Sequence, residues 1–288
     1  MSIKEVDKVT GVETTGHEWD GIKELDKPLP KWWLWTFYAT IVWSIGYWIV
    51  YPAWPLVNGY TQGVLGYSQR AVLSEEISAA REAQAAFRNK LDATPLDKVK
   101  DDPELLRFAM TGGAASFATN CSPCHGRGAQ GFVGYPNLND DEWLWGGSID
   151  EILTSIRFGI RSGINGAHES QMPRFGIDKL IDNAQISDTA EYVLSLSGKA
   201  TDQAAVSRGK TIFAEQCVSC HGDDGKGNKE FGAPDLTDAI WLFGDTKAAV
   251  VESIRTGRGG MMPAWDGRLD PVTLKSLAVY VHSLGGGQ

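Results

Sequence analysis

Two stretches decide how this chain folds: GAASFATNCSPCHG at residues 113–126 and GKTIFAEQCVSCHG at residues 209–222. They align without a gap, Cys121 with Cys217 and His125 with His221. The likeness runs on beyond them. Pro136-Asn137-Leu138 answers Pro234-Asp235-Leu236, Trp143-Leu144 answers Trp241-Leu242, and Ile156-Arg157 answers Ile254-Arg255. Met172-Pro173 then pairs with Met262-Pro263, and Tyr192–Leu196 with Tyr280–Leu284. The order of elements is the same in both, so the C-terminal two thirds are a duplication. A solenoid needs three or more copies.

Each copy reads as a small α-domain. Asp102-Pro103 has the form of a helix start, with proline at the first helical position. Ser148-Ile149-Asp150-Glu151 is a capping-box pattern ahead of an apolar run. Asp270-Pro271 opens a last helix in which Leu274, Leu277, Ala278 and Val281 recur at helical spacing. Gly222–Gly232 carries too many breakers for a helix.

All four cysteines are spent in Cys121-Ser-Pro-Cys124-His125 and Cys217-Val-Ser-Cys220-His221. Cys-x-x-Cys-His is the attachment signature of c-type haem. Two thiols three residues apart on a helical turn reach the two vinyl groups of one porphyrin, and the adjacent imidazole meets the iron. A zinc site needs four ligands, and each copy supplies three. A redox Cys-x-x-Cys belongs in a βαβ setting that is absent here. Disulfides form outside the cytoplasm but do not demand a histidine beside each pair.

The second axial ligands are expected from Met172 and Met262, the repeat-equivalent methionines, each followed by proline. A thioether favours reduced iron and raises its potential. Met261 is adjacent, but proline aligns only behind Met262. His168, four residues before Met172, is the competing ligand. His17 reads as an exposed residue, His282 as a helix-packing one, and Trp143, Trp145, Trp241 and Trp265 as walls of haem crevices or ordinary core. Which methionine serves which haem is open: each could stay within its own repeat, or the two could be exchanged.

Residues 32–51, WWLWTFYATIVWSIGYWIVY, carry no charge over twenty positions. That length crosses ~30 Å of hydrocarbon as a helix. Trp32, Trp33 and Trp35 at one end, with Trp48, Tyr51 and Trp54 at the other, form two aromatic belts. A cleavable signal peptide is shorter and lies nearer the N-terminus. Lys23, Lys27 and Lys31 precede the run, whereas the first basic residue after it is Arg70. The positive-inside rule therefore places the N-terminus in the cytoplasm and the haem domains outside. With no ionisable group inside it, the span offers no ion path.

The expected organisation is all-α: a polar, mobile cytoplasmic tail at 1–31, one N-terminal transmembrane helix at 32–51, and a segment at 52–102. That segment comprises an interfacial loop, a helix opened by Ser74 and running to about Leu91, and a linker at Asp92–Asp102. Two tandem cytochrome c domains follow, at 103–199 and 204–288. The net charge of −9 excludes a nucleic-acid binder, which needs a basic face.

The Trp-rich span, the Tyr-Pro-x-Trp-Pro-x-Val exit at Tyr51–Val57, the Gly66-Tyr67-Ser68 segment and the two Cys-x-x-Cys-His domains follow one another in order. In this the chain resembles the dihaem P subunit of cbb3-type cytochrome c oxidase. The resemblance implies two covalent haem c groups, held by Cys121, Cys124, Cys217 and Cys220, with His125, His221, Met172 and Met262 as axial ligands. It implies a single-pass protein of the bacterial inner membrane with periplasmic haem domains. Electrons would come from a donor cytochrome c or a cytochrome bc complex. They would leave through a monohaem cytochrome c subunit for the haem–copper catalytic subunit, where oxygen reduction is coupled to proton translocation. Three alternatives stand beside this: a cytochrome subunit of another membrane redox enzyme, a dihaem peroxidase, and a gas sensor. A peroxidase requires an iron with an open position, against which a methionine in both repeats argues.

Overall fold

The structure is a computed structural model that describes residues 4–285. The first three residues of the expected tail and the last three of the second repeat lie outside the described residues. The chain divides into two compact units, residues 1–83 and 84–288.

The first unit begins with a hairpin, not a tail. Strand β1 (Thr14–Trp19) pairs antiparallel with β2 (Ile22–Leu25), Trp19 opposite Ile22 and Glu18 opposite Lys23. The turn is Asp20-Gly21, both at positive φ (51° and 84°). Asp-Gly is the dipeptide a two-residue hairpin turn demands, because its backbone twist matches that of the flanking strands. This signal overrides the polar composition that suggested a mobile segment. Lys4–Asp26 and Lys23–Glu5 ion pairs, 2.9 and 2.5 Å, tie the preceding residues to the hairpin.

Helix α1 runs from Lys31 to Val50, one residue ahead of the expected span, and buries no side chain. The hydroxyls of Thr36, Thr40 and Ser44 donate to backbone carbonyls of the same helix (Trp32, Phe37 and Thr40). By mean hydropathy no helix among the described residues is long and apolar enough to cross a membrane. In α1 the length is present, but tryptophan and tyrosine lower that measure.

The chain then doubles back on the end of α1. Val64 and Leu65 donate to the carbonyls of Ile49 and Val50, which would otherwise be left open at a helix C-terminus. Gly63, at φ +72°, makes the approach: a β-carbon there would lie 2.4 Å from the Val50 oxygen. A minimal hairpin, β3 (Pro55–Leu56) with β4 (Gly59–Tyr60), sits in this return. Helix α2 (Gln69–Ala83) starts earlier than expected. Ser68 accepts from the Ala71 N–H, so Ser74 lies within the helix and is not its cap.

In the second unit the expected single helix to Leu91 is a separate short helix, α3 (Ala85–Ala93). The expected linker is folded: Leu96–Asp101 forms a 3-10 turn, and Leu96 and Val99 are core residues. Their apolar side chains outweigh the Pro and charge content on which the linker reading rested. Helix α4 (Pro103–Asn120) is capped by Asp102, whose carboxylate accepts from the Glu104 and Leu105 N–H groups, both 3.1 Å. The one-turn helix α5 (Ser122–His125) follows, then α6 (Ile149–Phe158), whose Ser148–Glu151 capping box is complete. Next come α7 (Asn183–Leu196), α8 (Gln203–Gln216), the one-turn α9 (Val218–His221), α10 (Lys247–Thr256) and α11 (Pro271–His282).

The packing does not follow the repeat boundaries. Helix α4 of the first repeat packs on α11, the last helix of the second. Helix α8 of the second packs on α7, the last of the first. Phe117, Ile152 and Ile156 thus share a core with Leu274, Leu277 and Val281, and Phe213, Val250 and Ile254 share one with Ile186, Ala190 and Val193. Each crossing is made over a glycine. A β-carbon on Gly113 would lie 2.2 Å from the Ser276 oxygen, and one on Gly209 would lie 2.0 Å from that of Asp188. These glycines are equivalent in the duplication. The repeats are 103–199 and 204–288 in sequence, whereas one core is built from the piece around α7–α10 and the other from the segments on either side of it.

Candidate functional site

Each Cys-x-x-Cys-His run forms one helical turn, closed by His125 N–H to Cys121 O (2.9 Å) and His221 N–H to Cys217 O (3.0 Å). Gly126 and Gly222, at φ +83° and +76°, end the turns and let the chain swing away beneath the histidine. The four cysteines form no disulfide with one another.

Both histidines are oriented in the same way. His125 Nδ1 lies 3.0 Å from the Pro136 carbonyl and His221 Nδ1 lies 3.3 Å from that of Pro234. A carbonyl only accepts, so the proton sits on Nδ1 and the Nε2 lone pair is free for a metal. Burial lowers both imidazole pKa values, which keeps the rings neutral. The Pro-Asn-Leu and Pro-Asp-Leu matches were visible as repeat markers, but their task of aiming the imidazoles was not.

Two cavities open beside these turns, of about 100 and 250 Å³. The first is walled by Cys121, His125, Phe117, Trp143 and Ile156, and the methionine in it is Met262. The second is walled by Cys217, Cys220, His221 and Trp241, and its methionine is Met172. Met172 and Met262 therefore each line the cavity that holds the histidine of the other repeat.

The crossing has a backbone basis. Ile160 and Met262 exchange both of their N–H···O bonds at 3.0 Å, and Gln171 Nε2 donates to the Gly257 carbonyl. Gly159, closing α6, lies against the Met262 carbonyl, and its repeat partner Gly257 lies against that of Met172. Met261, 71 % exposed, is outside the first cavity. His168 lies outside both: its Nε2 is 3.1 Å from Ser155 Oγ and its ring stacks on Trp145.

The cavities fit a porphyrin on a further ground. The indole N–H groups of Trp143 and Trp241 are buried without a partner, and both residues line cavities at equivalent places. A buried donor needs an acceptor, and the carboxylates of a porphyrin would supply one to each. The ionisable surroundings differ in ways the sequence did not single out. Arg161 and Arg258 line the second cavity, whereas Glu142 lines the first. Leu144 belongs to both walls, so the cavities abut.

Two helical bodies, each with a Cys-x-x-Cys-His turn beneath a cavity and a thioether across it, define a dihaem c-type cytochrome. Residues 110–197 match the family described as cytochrome c, and residues 204–281 match cytochrome c oxidase, cbb3-type, subunit III. Residues 11–58 match the N-terminal domain of cytochrome oxidase-cbb3, FixP. The chain is 54 % identical over 284 residues to the cbb3-type cytochrome c oxidase subunit FixP of Azorhizobium caulinodans, covering 98 % of this chain and 96 % of that one. It is 53 % identical over 290 residues to the subunit CcoP of Cereibacter sphaeroides, covering both chains in full. The chain belongs to the FixP/CcoP family of cbb3-type cytochrome c oxidase subunits. It carries two covalently bound haem c groups.

Proposed function

We propose that this chain is the electron-transfer subunit of a cbb3-type oxidase, with no catalytic centre of its own. The observation that carries the reading is the pairing in each cavity of an oriented imidazole with a thioether. In this reading Cys121 and Cys124 hold one haem and Cys217 and Cys220 the other. His125 with Met262, and His221 with Met172, would hold the iron. The bound haem supplies one-electron ferric–ferrous chemistry. With haem bound, an imidazole and a thioether in each cavity would leave no open position for peroxide or oxygen, which disfavours the peroxidase alternative. The walls of both cavities are largely apolar, and Leu144 belongs to both.

Helix α1 is read as the membrane segment. At 1.5 Å per residue its twenty residues match the hydrocarbon thickness. Its hydroxyls are satisfied within the helix, as lipid requires. Its tryptophans and tyrosines, which depress mean hydropathy, are the residues favoured at the two interfaces. With the lysines ahead of it, this supports an N-terminus in the cytoplasm and haem domains in the periplasm of the bacterial inner membrane. Electrons then pass from a donor cytochrome c or cytochrome bc complex, through this chain, to the monohaem and haem–copper subunits.

The test uses full-length protein lacking the second attachment site (Cys217→Ala with Cys220→Ala). Adding Met262→Leu removes the thioether absorption of the one remaining haem, whereas adding Met172→Leu leaves it. The opposite result sinks the exchanged ligation. Purification in mild detergent retains a haem–copper subunit; co-purification with a dehydrogenase alone refutes the oxidase reading.

A further inference from the structure

The loops that carry the two methionines come together at one side chain. Arg161 Nε donates to the Gly260 carbonyl and Arg161 Nη1 to the Ser170 carbonyl, both at 2.7 Å. Ser170 stands two residues before Met172, and Gly260 two before Met262. Arg161, Ser170 and Gly260 all line the His221–Met172 cavity, while the chain beyond Gly260 leads on to the His125–Met262 cavity. Hydrogen bonds from a guanidinium are charge-assisted and stronger than neutral ones. The two carbonyls engage different nitrogens of a rigid planar fork, which sets the spacing of the loops as well as holding them. The other cross-bonds, Ile160 with Met262 and Gln171 with Gly257, each hold one loop. Arg161 holds both.

The backbone of Arg161 gives a second sign. It sits at φ +50°, in the left-handed region that residues other than glycine seldom occupy. Neighbouring bonds keep it there: the Arg161 N–H donates to the His168 carbonyl at 2.6 Å, and the His168 N–H to the Gly159 carbonyl at 3.2 Å. Such a conformation persists only where the surroundings over-determine it, and it is concentrated at functional sites.

The duplication gives a third. Counted from the equivalent Gly159 and Gly257, the repeat partner of Arg161 is Gly259, not another arginine. A β-carbon on Gly259 would lie 3.3 Å from Arg161 Nε. The two equivalent positions therefore lie against each other where the repeats meet, and the glycine makes way for the arginine. One guanidinium serves both loops.

We propose that Arg161 is a positioning residue for both haem sites, a bridge through which release of one methionine loop loosens the other. The inference rests on the exchanged His–Met ligation proposed above. Its consequence is reciprocal. Withdrawal of Met262 from the first site weakens the hold on Ser170 and so on Met172, and the converse follows by linkage.

The experiment is an imidazole titration of the oxidised, haem-loaded full chain, followed by the thioether absorption. Imidazole competes with methionine for ferric iron, so the concentration that removes the band measures how firmly a loop is held. Two backgrounds, Cys121→Ala with Cys124→Ala and Cys217→Ala with Cys220→Ala, report each haem by itself. In both, Arg161→Met keeps the side-chain length and removes the two donors. It should lower the imidazole midpoint on the order of tenfold, the size of one charge-assisted hydrogen bond. Arg161→Lys keeps the charge but offers a single nitrogen, so it should restore the midpoint at no more than one haem. In the two-haem chain, Met172→Leu should ease displacement of Met262, and should not do so in the Arg161→Met background. An unchanged midpoint at either haem overturns the proposal, as does recovery of both haems with lysine. So does a Met172→Leu protein with no linkage, or with linkage that persists without the arginine. Absence of thioether absorption from the unaltered single-haem proteins would instead defeat the ligation on which the proposal rests.

Discussion

Replacing Gly159 by alanine tests the exchange of the repeats through one atom. Gly159 ends α6 at φ +75° and ψ −174°. Side chains are all but excluded from that region, at a cost of roughly 1–3 kcal/mol. The new methyl would also stand 2.4 Å from the Met262 carbonyl oxygen and 2.9 Å from the Ala264 nitrogen. Both are backbone atoms and have no rotamer with which to yield, so overpacking adds about 1–3 kcal/mol. A total near 4 kcal/mol is a large share of the ordinary 5–15 kcal/mol stability of a domain. The way out for the protein is to move the Met262 strand. Urea unfolding of the haem-loaded protein should therefore show a lower midpoint. At neutral pH, absorption should show the thioether lost from the haem at Cys121 and Cys124 and kept at the other. Gly257→Ala should do the reverse, since its methyl would stand 2.3 Å from the Met172 oxygen. A Gly159→Ala protein with an unaltered midpoint and both thioether bands intact would refute the reasoning.

The remaining expectations address the core, the buried charge and the orphaned indoles. Leu277→Ala, at a fully buried position where α11 meets α4, should cost about 3 kcal/mol in denaturant titrations and loosen the first haem site before the second. Glu191 is 1 % exposed and accepts from Lys247 Nζ (2.9 Å) and from the N–H and hydroxyl of Thr201, which hold its carboxyl down to about 2. Because the folded pKa is depressed, its stabilisation is full above about pH 4.5 and is lost as pH falls towards 2. Glu191→Gln should therefore lower stability by about 3 kcal/mol at pH 7 and by less at pH 3, and a pH-independent loss would count against this. Trp143→Phe keeps the wall but removes the partnerless N–H. It should shift the potential of the first haem alone, and Trp241→Phe should shift that of the second; unchanged potentials in both would show that the indoles touch no part of the porphyrin.

Much of this protein was legible before any coordinates. The attachment turns are local, with ligand spacing set by one helical turn, so Cys121–His125 and Cys217–His221 announced their chemistry. Helix starts at Asp102-Pro103, Ser148 and Asp270-Pro271 were equally local and are where the sequence put them. The Asp20-Gly21 hairpin signal is just as local, but the polar composition around it points to a mobile segment and masks it. The 96–101 turn was missed for a different reason. Leu96 and Val99 are unremarkable in sequence, and only α4 and α11 packing over them make them core.

Sequence by itself determined the duplication and the haem chemistry, because each depends on residue type and short spacing, and it singled out Met172 and Met262 as the candidate further ligands. Tertiary structure alone decided which methionine faces which histidine. Met172 and Met262 are equivalent by repeat, and an unexchanged pair would satisfy the same spacing rules. What selects the crossing is contact between residues about a hundred positions apart: Gly113 under Ser276, Gly209 under Asp188, and Ile160 paired with Met262. The same is true of the Arg161 bridge, since Ser170 and Gly260 come to share one guanidinium only once the two repeats have folded around each other.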